Sequence, residues 1–366
     1  MTVKIAIIAD DLTGALDTGT PFVEAGLSVV VAIDMDAIPE ALARGTDVIV
    51  VNTASRALSP DEAAGKITTA YTLLEQAAPD ILFKKIDSRL KGNIAAESTA
   101  LSKASGRKRI ILAPAIPDQQ RFTINGAVCG RGVETPLPIR PLFPADAVLI
   151  DVYDASSDSD LDQIASAMDW STSIAVGARG LGSAFARLLK KPASVSASFF
   201  PSADILFAFG SRDPITSAQI EHLTHNRNIA SIVAPAGHLP ANSMSALPAI
   251  AQCSGEQTAD PGDVAARFAA GIYRAIEQTR PTMLVMGGGD TALAILKQLG
   301  VSVLVPKGEI EPGIPWFEIT GPDGRTFCCA VKSGGFGSVD SLLKLVPENL
   351  LNQSASGRLK IEKQAW

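Results

Sequence analysis

Residues 84–93 read Lys-Lys-Ile-Asp-Ser-Arg-Leu-Lys-Gly-Asn. Lys84, Lys85, Arg89 and Lys91 share this stretch with one carboxylate, Asp87, and one hydroxyl, Ser88, directly after the apolar run Ile81-Leu82-Phe83. Cations complement an anionic ligand, while Asp87 and Ser88 can hydrogen-bond its hydroxyls. Successive strand residues point to opposite faces, so Lys84 and Lys85 cannot both face one crevice. A second cluster, Asp10-Asp11, ends the first apolar run before Thr13-Gly14 and a helical pattern. One aspartate suffices to cap a helix. A second carboxylate beside it can accept a proton from a hydroxyl or hold a magnesium ion. The stretch Val50-Val51-Asn52-Thr53-Ala54-Ser55-Arg56 brings Arg56 to another strand end, and a guanidinium is shaped for a carboxylate.

The second half carries a different chemistry. Three apolar runs end in glycine-rich turns that open helical segments: Gly210-Ser211 before Asp213-Pro214, Gly287-Gly288-Gly289 before Asp290-Thr291, and Lys332-Ser333-Gly334-Gly335. Glycines at a helix start let backbone N–H groups approach a phosphate, and the helix dipole favours its charge. Three such turns suggest a polyphosphate, although no Walker A loop, G-x-x-x-x-G-K-[ST], occurs. Gly287, Gly289 and Ala292 also fit G-x-G-x-x-A, with Glu309 downstream, which keeps a dinucleotide open. Against it, Pro306 and Gly308 set Glu309 away from a strand tip.

Composition narrows the partners. Thirty-two Lys and Arg against 38 Asp and Glu give a net charge of −6, so no positive field draws nucleic acid or an anionic membrane. The first apolar run is too short for a signal-peptide core, and none nears the roughly 20 residues that span a bilayer. Four cysteines in 366 residues make no disulfide scaffold; Cys328 and Cys329 are adjacent in a strand pattern and point apart, and three histidines do not build a zinc site. A cytoplasmic protein is expected.

The elements that must position these residues follow from periodicity. Short, continuous apolar runs alternate with helical segments, the pattern of parallel sheets covered on both faces. Helix starts are expected at Ser59-Pro60 and at Ser159 or Asp160. Residues 116–145, rich in Pro, Gly and Arg, read as a long irregular excursion. The unpatterned Lys191–Ala203 stretch suits a boundary, giving two α/β domains with mostly parallel sheets, 1–195 and 196–366.

The motifs Ile8–Asp17, Asn52–Arg56, Lys84–Asn93, Leu112–Val128, Gly210–Ile220, Gly287–Ala292, Gly308–Trp316 and Lys332–Asp340, in that order over nearly the whole chain, resemble the four-carbon acid sugar kinase family. The resemblance implies an N-terminal sugar-acid-binding domain, a C-terminal nucleotide-binding domain and ATP-dependent phosphorylation of threonate, erythronate or 3-oxo-tetronate in the interdomain cleft. It implies that Asp10, Asp11, Arg56, Lys84, Lys85, Asp87, Ser88, Arg89 and Lys91 contact the substrate, with Asp11 or Asp87 catalytic. Ser211, Gly287, Gly288, Gly289, Asp290, Thr291, Gly334 and Gly335 would hold ATP with Mg2+, for which no metal ligands are assigned. Arg89 and Lys91 depart from the family's Thr and Arg in K-x-D-S-T-L-R-G-N, and Asp290 replaces a commoner Glu. The expected partners are a sugar acid and ATP, without nucleic acid or membrane; a homodimer stays open. Two alternatives also stay open: an NAD(P)-dependent oxidoreductase of a small hydroxy acid, and a non-catalytic ligand-binding module.

Overall fold

The computed structural model describes residues 3–144, 149–192, 197–210 and 213–348, except 242, 245, 256–259 and 322. The chain forms two compact units, residues 1–196 with 302–308 and residues 197–301 with 309–366.

The elements of the first unit are β1 (Ile5–Ala9), α1 (Leu12–Glu24), β2 (Val29–Ala32), α2 (Ile38–Ala43), β3 (Val48–Asn52), α3 (Pro60–Leu74), β4 (Ile81–Lys85), α4 (Ile94–Ser105) and β5 (Arg109–Ala113). They continue with β6 (Arg121–Ile124), β7 (Ala127–Gly130), β8 (Leu137–Pro138), β9 (Leu149–Val152), α5 (Asp158–Ala167), β10 (Ser173–Gly177) and α6 (Arg179–Leu188). The second unit contributes β11 (Ile205–Phe209), α7 (Pro214–Asn226), β12 (Ala230–Pro235), β13 (Ala249–Ser254), α8 (Pro261–Thr279), β14 (Met283–Gly287) and α9 (Gly289–Gln298). The chain ends its described course through β15 (Val303–Leu304), β16 (Pro306–Glu309), β17 (Pro315–Thr320) and β18 (Thr326–Lys332).

The runs Ile5–Ala9, Val48–Asn52 and Ile81–Lys85 are buried at every residue, as strands covered on both faces must be. They lie in a sheet of order β15-β2-β3-β1-β4-β10-β5-β9, parallel except for β15. From β1 the chain passes to the outer β2, returns to β3 between β2 and β1, then crosses to the other side of β1 at β4. That reversal beside β1 is a topological switch point, where strand ends diverge and ligands collect. Phe83, Phe185 and Trp170 pack edge to face under the sheet, with ring centroids 6.0 and 5.0 Å apart. Asp11 caps α1, Ser59 and Glu62 form a capping box on α3, and α5 starts at Asp158 because Ser157 and Asp160 form another. That start precedes the expected Ser159 or Asp160.

The stretch expected to be irregular, 116–145, carries a small antiparallel sheet of β6, β7 and β8 over residues 121–138. Its hairpin turns at Asn125-Gly126, with φ of 51° and 70°, the left-handed pair that two-residue hairpins favour. A linear division at 195/196 also fails for residues 302–308, which belong to the first unit. There β15 pairs antiparallel with β2, and the Ile33 N–H donates to the Ser302 carbonyl at 3.0 Å.

The second unit's strands lie in a sheet in the order β12-β13-β11-β14-β18-β17. β11, β12, β13, β14 and β18 run parallel, and β17 joins antiparallel to β18. Phe207, Phe209, Ile250, Val285 and Trp316 fill its core.

Leu304 is 2% exposed. Leu304→Ala is expected to cost about 2 to 4 kcal/mol and to speed amide exchange in Val29–Ala32, its edge partner. Hydrogen exchange with mass spectrometry reads this; protection lost only around β11 and β14 would contradict the pairing.

Candidate active site

Four of the expected residues meet at the switch point. Asp10 and Asp11 follow β1, Arg56 follows β3 and Asp87 follows β4. Arg56 grips both aspartates: Nε and Nη2 donate to Asp10 at 2.7 and 2.8 Å, and Nη1 and Nη2 donate to Asp11 at 2.8 and 2.9 Å. Burial opposes the Arg56 charge, but Asp11 and Asp10 outweigh it and raise its pKa above the usual arginine range. Burial likewise opposes ionisation of Asp10, yet Lys84 and Arg56 hold its carboxyl below the usual range. Both oxygens of Asp11 carry two donors each, since Gly14 N–H and the Thr13 hydroxyl add to the guanidinium. Asp87 differs. One of its oxygens accepts from the N–H groups of Arg89 and Lys91, at 2.9 and 3.4 Å, and the other accepts nothing among the described residues.

The two lysines separate as strand alternation requires. Lys84 is fully buried and forms an ion pair with Glu97 of α4 at 3.0 Å, so this residue, expected to touch substrate, faces the core instead. Glu97 also accepts from the Ser55 hydroxyl, which lies 2.7 Å from that of Thr53. The pair therefore anchors the loop that delivers Arg56. Lys85 points the other way. A Cβ added at Gly14 would lie 2.6 Å from Asp11 Oδ1 and 2.8 Å from Lys85 Nζ, so both groups border one glycine. Lys85 is 5% exposed. Ser88 is buried and accepts from Arg121 Nη1 at 2.5 Å, while Arg89 lies partly exposed and Lys91 exposed on the same turn. Arg121, on β6, was not singled out by the sequence reading, because the hairpin that swings it over β4 was read as irregular.

In the second unit the glycine turns lie side by side. β11, β14 and β18 are adjacent and parallel, so Gly210, Gly287 to Thr291 and Ser333 to Gly335 share one edge of the sheet. Ser211 lies outside the described residues. The turns are tied to each other: Gly210 N–H donates to the Gly287 carbonyl and Gly288 N–H to the Lys332 carbonyl. A Cβ at Gly210 would lie 1.9 Å from the Thr291 hydroxyl oxygen, so only glycine lets α9 start this close to β11. Gly288 caps α9 without any side-chain hydrogen bond, and Asp290 stands exposed in its first turn. Lys332 is a further residue that sequence reasoning did not assign. Its buried ammonium donates to the Thr216 hydroxyl and to the carbonyls of Ser333 and Gly334, at 3.0, 3.0 and 3.2 Å, and so folds the last turn. Burial, partly offset by Asp213, lowers its pKa from 10.5 to about 8.

The dinucleotide fingerprint does not sit in a βαβ unit. After α9 the chain passes to β15 in the other sheet, so no strand returns beside β14 with an acid at its tip. Glu309 accepts from Gly313 N–H at 3.2 Å. Among the described residues no group of three His, Cys, Asp or Glu is placed to hold a metal, and no helix is long and apolar enough to cross a membrane.

Residues 5–148 match the model of a sugar-binding N-terminal domain, and residues 241–342 that of a nucleotide-binding C-terminal domain. The chain thus combines a sugar-binding N-terminal domain with a nucleotide-binding C-terminal domain. Among curated relatives, the chain is 27% identical to a D-threonate kinase of Salmonella typhimurium, over 93% of this chain and 96% of the relative. It is 29% identical to a D-threonate kinase of Cupriavidus necator, over 92% and 95%. With a 3-oxo-tetronate kinase of Burkholderia multivorans it shares 27% identity, also over 92% and 95%. A Haemophilus influenzae protein of solved structure shares the fold at a TM-score of 0.64, with 20% identity over 93% of this chain and 98% of that one. The chain belongs to the four-carbon acid sugar kinase family.

Arg56→Lys keeps the charge but loses the fork. Turnover is expected to fall on the order of 100-fold, and a crystal structure should show Asp10 and Asp11 rearranged; unchanged steady-state kinetics would contradict the clamp. For Lys332, the unfolded chain binds more protons than the folded one between about pH 8 and 10.5. Stability therefore rises with pH in that window, by about 2 to 3 kcal/mol between pH 8 and 10. Denaturant titrations of wild type and Lys332→Met at both pH values should differ by that increment, and equal pH dependence would refute the assignment.

Proposed function

We propose that the protein transfers the terminal phosphoryl group of ATP to a hydroxyl of a four-carbon sugar acid of the threonate, erythronate or 3-oxo-tetronate class. The observation that carries this reading is the convergence of three glycine turns at the ends of β11, β14 and β18, in a chain whose other unit gathers carboxylates and cations at its switch point. The curated relatives, named as kinases of these acids, support it.

The residues divide the work. Asp87 has the oxygen left to accept a substrate hydroxyl, orient it and take its proton as the oxygen attacks phosphorus. Asp11 is occupied by four donors, so the Arg56 clamp keeps the wall of the site in place. Lys85, buried beside Gly14, supplies positive charge where the transferred group is most anionic. Backbone N–H groups at Gly289 and around Gly334 and Gly335 hold phosphate oxygens, with the dipole of α9 behind them. Magnesium, where bound, neutralises phosphate charge. It needs only one or two carboxylates beside phosphates and water, and the exposed Asp290 fits that requirement.

A coupled ADP-release assay over threonate, erythronate and their 3-oxo forms, with product regiochemistry by NMR, tests the reading. Asp87→Asn is expected to lower kcat by a factor of about 100 to 10,000 with KM little changed. ATP binding without turnover of any acid would make the protein a ligand-binding module, and thermal stabilisation by NAD(P) alone would favour the oxidoreductase.

A further inference from the structure

Most of the buried charges around the switch point are compensated in a regular way. Asp10 and Asp11 face Arg56, Lys84 faces Glu97, and Arg179 faces Asp17 at 2.9 Å. Arg121, like the buried Lys85, has no ion pair among the described residues. It is 6% exposed, yet among the described residues its guanidinium meets only neutral acceptors, the Arg131 carbonyl at 3.1 Å and the Ser88 hydroxyl at 2.5 Å. Burial is the largest influence opposing its charge; at longer range Arg89 and Arg131 also oppose it, and Asp87 and Asp118 favour it. A Cβ at Gly132 would lie 3.9 Å from Arg121 Nη2 and 4.0 Å from Arg89 Cδ, so the two side chains border one glycine. A buried guanidinium without a counter-ion is costly unless an anion completes it.

The surrounding backbone is built to hold that side chain. Gly130, at φ 101°, pairs with Arg121 across the hairpin; a Cβ there would lie 2.1 Å from the Gln120 carbonyl oxygen. Only glycine permits this approach, which brings Arg131 N–H onto the Gln120 carbonyl and turns the Arg131 carbonyl toward Arg121 Nε. Ser88 fixes Nη1 from the other side. The Asp87 charge acts on both Arg56 and Arg121.

We propose that Arg121, assisted by Arg89, is the seat of the substrate's carboxylate, and that Arg56, four of whose five N–H donors go to Asp10 and Asp11, is not. This rests on the sugar-acid reading of the first unit. A small acid with its carboxylate on Arg121 would lay its hydroxyls along Asp87, so the distance from charge to hydroxyl becomes a selector among sugar acids. The sequence pattern, with Arg56 at a strand end, pointed to the other guanidinium.

The test pairs two enzymes with two ligands. Threonate and erythronate are compared with the uncharged tetritols, threitol and erythritol, by calorimetry and thermal shift without nucleotide. Arg121→Met should weaken tetronate binding about 100-fold, as expected for loss of a charged hydrogen-bond partner, and leave tetritol affinity within about twofold. Arg121→Lys should fall between. Equal loss for acid and tetritol, or no loss for either, overturns the seat, as does a wild type that binds no tetronate. If Arg121→Met weakens only inorganic phosphate, the site belongs to the transferred group and the proposal is also overturned. Should circular dichroism show that Arg121→Met does not fold, Ser88→Ala serves. It should raise the tetronate Kd about tenfold without moving tetritol, and an unchanged Kd refutes the proposal. A wild type that binds tetronate through Arg121 but transfers no phosphoryl group keeps the seat and removes the kinase.

Discussion

The clamp of Arg56 on Asp10 and Asp11 is the interaction on which the first unit's site depends. Two adjacent carboxylates at the end of a buried strand repel each other and lose hydration, and one alone would suffice to cap α1. A single planar guanidinium with four hydrogen bonds makes the pair tolerable and fixes the β3 loop against the end of β1. Lys84 and Glu97 do the same one layer deeper, through Ser55. Charge in this unit is mostly architecture, so a charged residue's presence in the site says little about ligand contact until its partners are counted. Once they are, Asp87, Lys85 and Arg121 are the groups left with capacity.

The second unit uses backbone in place of side-chain charge. Its three turns are held by carbonyl and amide bonds between neighbouring strand ends, and by one buried ammonium that gathers Thr216, Ser333 and Gly334. A lysine used this way folds the turn from inside. The depressed pKa of Lys332 marks the cost of that placement, because burial disfavours its charge and no carboxylate sits within ion-pair distance among the described residues.

Much of this was legible in the amino-acid order. Continuous apolar runs between capped helices specify parallel sheets, because such strands must be buried on both faces. Asp10, Arg56, Asp87 and the glycine turns stand at strand ends and could be named from position alone. The hairpin at Asn125-Gly126 also had its signal, a left-handed pair between alternating residues, but proline and glycine around it read as irregular chain. The placement of β15 had no such signal. Two residues, Val303 and Leu304, carry no period, and their pairing with β2 depends on chain more than 250 residues away.

Local order by itself determined which residue types stand at each strand end, the two α/β halves, and the separation of Lys84 from Lys85, since these follow from periods of 2 and 3.6 and from short-range capping. Tertiary structure alone decided which charges are spent on each other. Whether Arg56 faces a ligand or two aspartates, whether Lys84 meets Glu97, and whether Arg121 is left without a counter-ion depend on contacts between elements far apart in the chain. Electrostatic compensation is a property of distance in space, which no spacing along a sequence records.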